Sequence, residues 1–235
     1  MEEKDEQIKK MCFCRRVWAK YDHGFLIAYA AQYANQGLKF LLNIALQDLL
    51  KNYYMLEPTQ SQLLTTIIFL PMSIKFIFGI ISDTVPICGS RKKSWLIIWN
   101  VISAISSLIC AAVYIESATA FVALVLLFSI GSVFNDVVVD SLMVIQAKRD
   151  PKMGAQELQA FAWQVTGVFG MIGGINAAYM TGKLTPFWCF GIYGFFCLVC
   201  LGAAFYVSKE LEYESDVELE LARQRFGEEN AEQLI

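Results

Sequence analysis

FVALVLLFSIGSVFNDVVVDSLMVI, the run from Phe121 to Ile145, decides the fold. At about 1.5 Å per residue, a helix of this length crosses the roughly 30 Å hydrocarbon core of a bilayer. Inside it stand two aspartates one helical turn apart, Asp136 and Asp140. An ionised Asp at the centre of a membrane helix costs about 2.5–3.5 kcal/mol on insertion scales. Two of them on one face require the protein interior or a water-filled path, so these carboxylates are the first candidates for function.

Outward from this run the pattern repeats. The chain has 235 residues, of which 56% are hydrophobic and 17% charged, with a mean hydropathy of +0.46. That balance excludes an ordinary soluble domain. Six stretches predict membrane helices: Phe25–Leu49, Gln62–Ser82, Trp95–Ile115, Thr119–Ile145, Leu158–Met180 and Phe187–Val207. Basic residues fill the N-terminal tail (Lys9, Lys10, Arg15, Arg16, Lys20), the second loop (Arg91, Lys92, Lys93) and the fourth (Lys148, Arg149, Lys152), whereas the other loops carry only Lys51 and Lys183. The positive-inside rule then predicts six crossings with both termini cytoplasmic. Three regions follow: a polar N-terminal tail over 1–23, a bundle over 24–207, and an acidic cytoplasmic tail over 208–235, partly helical or disordered. The polar start, MEEKDEQIKK, predicts no cleaved leader.

Polar residues fall on particular helix faces. In the first span Gln32, Gln36, Lys39, Asn43 and Gln47 occupy about 80° of arc at 100° per residue, one stripe on an apolar helix. Lipid does not tolerate such a stripe, so it faces other helices or water. The fourth span repeats the pattern with Ser129, Ser132, Asp136 and Asp140. The second places Lys75, Gly79 and Asp83 four residues apart. Depth counted along the second and fourth spans puts Lys75 level with Asp136, which predicts an ion pair to Asp136 or Asp140. Such a pair either cancels burial cost or switches when a substrate or proton arrives. The third and sixth spans carry no ionisable residue and suit lipid contact or plain packing. The fifth carries Gly167, Gly170, Gly173 and Gly174, with a Gly170-x-x-x-Gly174 spacing for close helix approach. On the same side as Gly170, Trp163 either packs or stacks on a flat ligand ring.

The seven cysteines do not form a disulfide framework. Cys110, Cys189, Cys197 and Cys200 lie in apolar segments as small hydrophobes, and Cys12 and Cys14 beside Arg15 and Arg16 are candidates for juxtamembrane palmitoylation. With one histidine, His23, no nucleotide loop and no nucleophile elbow, neither catalytic residues, metal ligands, a cofactor nor a nucleic-acid partner is expected.

Three blocks together resemble the folate–biopterin transporter family of the major facilitator superfamily. Phe69–Lys93 (FLPMSIKFIFGIISDTVPICGSRKK) is similar to the loop between its second and third helices, the match resting on Gly79, Asp83, Pro86, Gly89, Arg91 and Lys92. Gly131–Val144 (GSVFNDVVVDSLMV) is similar to the paired-aspartate fourth helix, and Leu158–Trp163 (LQAFAW) to the start of the fifth. Asp48–Lys51 before the first outer loop fits as well. Phe76 stands where the family leads us to expect proline, and the chain carries six spans where members usually have about twelve.

The resemblance implies an all-α membrane protein, six transmembrane helices forming the N-terminal half bundle of a major-facilitator fold. It implies a multi-pass transporter in the lipid bilayer that moves a folate, a pterin or a similar heteroaromatic solute by alternating access. A site lined by the first, second, fourth and fifth helices would use Asp136 or Asp140 to accept ring N–H groups or a coupling proton. Lys39 and Lys75 would meet an anionic tail, with Gln36 beside them and Trp163 stacking. Gly79, Asp83, Gly89, Arg91 and Lys92 would form a cytoplasmic gate in which Asp83 and Arg91 exchange partners. With one half only, the chain either assembles with a second half, pairs with itself, or is an incomplete product. The rival reading is a non-transporting membrane subunit that stabilises or regulates a partner.

Overall fold

The computed structural model describes residues 13–207 apart from 88, 89, 91, 114, 149, 152 and 184. Cys12, Gly89, Arg91, Arg149, Lys152 and the acidic 208–235 stretch therefore lie outside the described residues. Among the described residues eight α-helices follow one another: α1 Phe13–Lys20, α2 His23–Asp48 (continued by a π turn, Leu49–Tyr53), α3 Pro58–Ser73, α4 Lys75–Thr84, α5 Lys93–Ala112, α6 Ala118–Ala147, α7 Gly154–Lys183 and α8 Phe187–Ala204. Apart from one isolated bridge, Ile87 to Ser90, no strand pairing occurs among the described residues. Each expected span coincides with one helix, or with the α3–α4 pair.

Local chemistry sets the ends. Asp22 caps α2, its carboxylate accepting the Phe25 N–H at 2.8 Å. Pro58 opens α3, where a missing N–H costs nothing. Pro71 inside α3 deprives the Ile67 carbonyl of its usual donor. The helix breaks three residues later at Ile74, the Ile77 N–H turns back to the Ile74 carbonyl at 3.0 Å, and α4 leaves α3 at 41°. Proline at 76 is not needed for the kink; Pro71 supplies it.

Helices α5 to α8 are each long and apolar enough to cross a membrane, and α3–α4 make a fifth span if the bent pair acts as one. The 26-residue α2 is long enough too, but its polar stripe dilutes its apolarity. Most of that stripe is turned inward, Gln32 being buried and Gln36, Lys39 and Asn43 half-buried, while Gln47 at its outer end is exposed. Of the spanning helices α6 is the most enclosed and α7 the least. Helices α5 and α8 pack on each other rather than standing apart in lipid, and the buried Ser107 hydroxyl donates to the Phe190 carbonyl at 2.7 Å.

Two apolar clusters fill the two ends of the bundle. One gathers Leu41, Leu49, Phe121, Phe128, Phe190 and Tyr193; the other gathers Val17, Phe25, Tyr29, Phe134, Val138, Leu142 and Leu158. The level between them carries Gln32, Gln36, Ser129, Ser132 and Asp136. Across it α2 and α7 approach closely at Gly37, where a Cβ would stand 2.6 Å from the Thr166 carbonyl oxygen and 2.8 Å from the Gly170 nitrogen. Gly170 and Gly173 face α2 there, but Gly167 and Gly174 meet nothing, so the Gly170-x-x-x-Gly174 spacing is not itself the contact.

Part of the expected polar tail is helical. α1 docks on the start of α7: Arg16 Nε lies 3.1 Å from Glu157 Oε1 and Lys20 Nζ 2.8 Å from Glu157 Oε2, with Asp150 also on Lys20. Burial pulls against the Lys20 charge, yet its hydrogen bonds to Asp150 and Glu157 prevail and hold its pKa above the ordinary value. Beside it, burial pushes the Tyr21 hydroxyl up to about 12.

Candidate functional site

The break at Ile74 makes Lys75 the first residue of α4 and directs it at α6. Its ammonium reaches both aspartates, Asp136 Oδ2 at 2.6 Å and Asp140 Oδ2 at 2.8 Å. The expected choice between two ion pairs is resolved as both at once. One turn of α6 separates the acids, so one Nζ can touch both. Tyr33 of α2 adds a third donor, its hydroxyl bonding Asp140 Oδ1. Its own carbonyl accepts from Thr166 Oγ1 on α7 at 3.3 Å. Four helices thus meet in one network. As formally charged groups, Lys75 and its two acids carry one positive and two negative charges.

Next to this network, sharing Thr166 with it, lies a cavity of about 310 Å³, within the size range of small-molecule sites; Lys75, Asp136 and Asp140 are not among its lining residues. Its walls are largely apolar (Phe40, Leu46, Ile68, Phe69, Met72, Phe128, Phe190), with Gln36, Lys39, Asn43, Ser129, Ser132 and Thr166 as its polar groups. Helices α2, α3, α6 and α7 all contribute, as expected for the first, second, fourth and fifth spans, and Phe190 of α8 adds a wall that was not expected. Ser132 stands one turn from Asp136. Hydrogen bonds tie α3 to its neighbours here: Ser129 Oγ donates to the Ile68 carbonyl at 2.8 Å, and Gln47 Nε2 to Thr65 Oγ1 at 3.2 Å. Among the described residues no carboxylate lies within 4 Å of the Lys39 ammonium.

The other expected site residues divide. Gln36 and Lys39 line the cavity together. Trp163, expected to face it, is 69% exposed on α7 and contributes nothing to the lining; Thr166, 60° away around the helix, takes that place. Midway along α4, a Cβ at Gly79 would stand 3.5 Å from Val137 Cγ1, and at the far end Lys92 pairs with Asp83 and approaches Ser82 Oγ at 3.4 Å. Lys92, one of the expected gate residues, is thus a partner of Asp83, while Gly89 and Arg91 lie outside the described residues. The thiols of Cys197 and Cys200 are buried among α8 and α2, Asn35 Nδ2 lying 3.6 Å from Cys197 Sγ and Cys200 Sγ 3.3 Å from the Ala31 carbonyl oxygen. Tyr33 went unread in the sequence. Its only signal was a hydroxyl four residues after Tyr29 at the margin of the α2 stripe, where tyrosine counts as apolar.

Residues 36–233 match the BT1 family. A folate-biopterin transporter of Synechocystis is 34% identical over 189 residues, 78% of this chain and 37% of that protein. The Arabidopsis thaliana protein named probable folate-biopterin transporter 4 is 28% identical over 162 residues, 68% of this chain and 33% of that one. Folate transporter 1 of Plasmodium falciparum is 37% identical over 93 residues, 40% and 18% of the two chains. No solved structure matches. The chain matches well under half the length of these relatives. With its run of apolar helices, this kinship makes it an integral, multi-pass membrane protein.

Proposed function

This chain belongs to the BT1 family, and on that premise we propose that it forms one half of a transporter for a folate, a pterin or a similar heteroaromatic solute. In this reading six spans, α2, the α3–α4 pair and α5 to α8, place both chain ends on the cytoplasmic side. The observation that carries the reading is the cavity of about 310 Å³ among five helices, one turn of α6 from the Lys75–Asp136–Asp140 network.

The chemistry runs from that arrangement. A carboxylate accepts two hydrogen bonds side by side, which suits the amino and ring N–H groups of a pterin. Asp136 accepts them, or carries a coupling proton in their place. Lys39, with no carboxylate in contact among the described residues, meets an anionic tail, and Gln36 beside it offers amide donors and an acceptor. The flat ring lies against Phe40, Phe69 and Phe128 rather than Trp163. The Asp83–Lys92 pair holds the gate end of α4 until the bundle rocks.

The second wall of the site comes from another half, or from a second copy. The exposed apolar residues of α3–α4 (Leu63, Leu70, Phe76, Ile80) and of α7 (Met171, Ile175) are where it would pack. Uptake of tritiated folic acid and biopterin into vesicles tests the reading. Wild-type protein is expected to take up one of them and Asp136→Asn, at equal membrane abundance, neither. Equal uptake by the variant would contradict the role of Asp136.

A further inference from the structure

The two aspartates are not equivalent. Asp140 has both oxygens engaged, Oδ2 by Lys75 at 2.8 Å and Oδ1 by the Tyr33 hydroxyl. Asp136 has one engaged, Oδ2 by Lys75 at 2.6 Å, and among the described residues Oδ1 accepts no hydrogen bond. Sequence alone makes the pair symmetrical; Tyr33 makes it asymmetrical. We propose that Tyr33 is a positioning residue that fixes Asp140 as the standing partner of Lys75 and so leaves Asp136 as the acid that changes partner when solute arrives. This rests on the transport reading above and names which carboxylate does what within it.

The placement of Tyr33 fits that task. Its backbone is held by Thr166, its ring lies 4.7 Å from that of Tyr29, and the Tyr29 hydroxyl donates to the Leu158 carbonyl at 3.2 Å. The hydroxyl that touches Asp140 is therefore anchored at two levels on α7 and does not follow Lys75. When donors of a solute reach Asp136, Lys75 can let go of that acid without becoming an unpaired ammonium, because Asp140 is pinned within reach. Without the Tyr33 bond, Asp140 is free to turn, Lys75 keeps its grip on Asp136, and solute must compete with a cation for the same oxygens. The exchange involves no covalent step. Lys75 and the solute donors trade places on Asp136 while Asp140 stays put.

The test is a double-mutant cycle in the full chain, with tritiated folic acid and biopterin as probes. Tyr33→Phe is expected to keep abundance and melting near wild type and to raise the KM for uptake about tenfold, the equivalent of one hydrogen bond to a charged group. In an Asp140→Asn background the same change is expected to add nothing, because the acid through which Tyr33 acts is already altered. A Tyr33→Phe effect of equal size with and without Asp140, or a KM that does not move, overturns the assignment. Wild-type protein that takes up neither probe in its native membrane, where any second half is present, contradicts the transport reading itself and the assignment with it, a result distinct from active wild type with an unaltered Tyr33→Phe.

Discussion

Two charge clusters hold this molecule together, and they are built differently. At the edge, α1 brings Arg16 and Lys20 to Glu157 and Asp150 at the start of α7, two bases for two acids. In the interior, α4 brings one base, Lys75, to two acids, Asp136 and Asp140; both counts are of contacts among the described residues. Both include deeply buried carboxylates, the side chains of Glu157 and Asp136 being 7% and 8% exposed. Counting only groups in ion-pair contact among the described residues, the interior cluster alone has more acids than bases; Lys39 acts on Asp136 from outside contact, and the cavity that Lys39 lines begins one turn away at Ser132. A matched cluster settles burial cost and needs no further partner. An unmatched one stays poised to accept a donor, at some expense of stability.

The largest expected effect comes from deepening the mismatch. Lys75→Met leaves two carboxylates facing each other with no cation and should destabilise the bundle by about 3–5 kcal/mol, read as a lowered melting temperature and loss of folded protein in detergent. Asp136→Asn does the reverse. It turns the trio into a simple Lys75–Asp140 pair, so melting should hold or rise while uptake disappears. A variant that melts well below wild type would break the contrast. At the edge, Glu157→Gln weakens the contacts of two bases and should cost about 1–3 kcal/mol in melting stability, with uptake unchanged.

The smallest effect is one of pH. Because the folded pKa of Lys20 lies above the ordinary 10.5, its contribution is complete below that value and is lost only as pH rises through the folded value. The melting difference between wild type and Glu157→Gln should therefore be flat across neutral pH and shrink only in strongly alkaline solution. A difference that changed between slightly acid and slightly alkaline buffer would mean that another group controls the edge cluster.

What could be read in the sequence was what periodicity and a fixed helical rise determine. Counting depth at about 1.5 Å per residue along the second and fourth spans put Lys75 beside Asp136, and the bundle holds them there at 2.6 Å. The arc of the α2 stripe likewise placed Gln36 and Lys39 on one wall. What escaped depended on how helices tilt and cross. Trp163 and Thr166 differ by 60° around α7, and only the lean of that helix decides which meets the cavity. Gly170 and Gly174 have the spacing of a close contact, yet the crossing point falls at Gly37, so Gly170 and Gly173 make it. The docking of Lys20 on Glu157 joins residues 137 apart in the chain, which no local pattern encodes. Tyr33 was missed because its apolar ring concealed the hydroxyl that matters.

The most direct test measures uptake and melting together for wild type, Asp136→Asn and Glu157→Gln in the same membranes. The account predicts a crossed result, in which Asp136→Asn loses uptake and keeps its melting temperature while Glu157→Gln keeps uptake and melts lower. If both variants lose the same property, or if Asp136→Asn transports as wild type does, the interior cluster is structural and the division between the two regions is wrong.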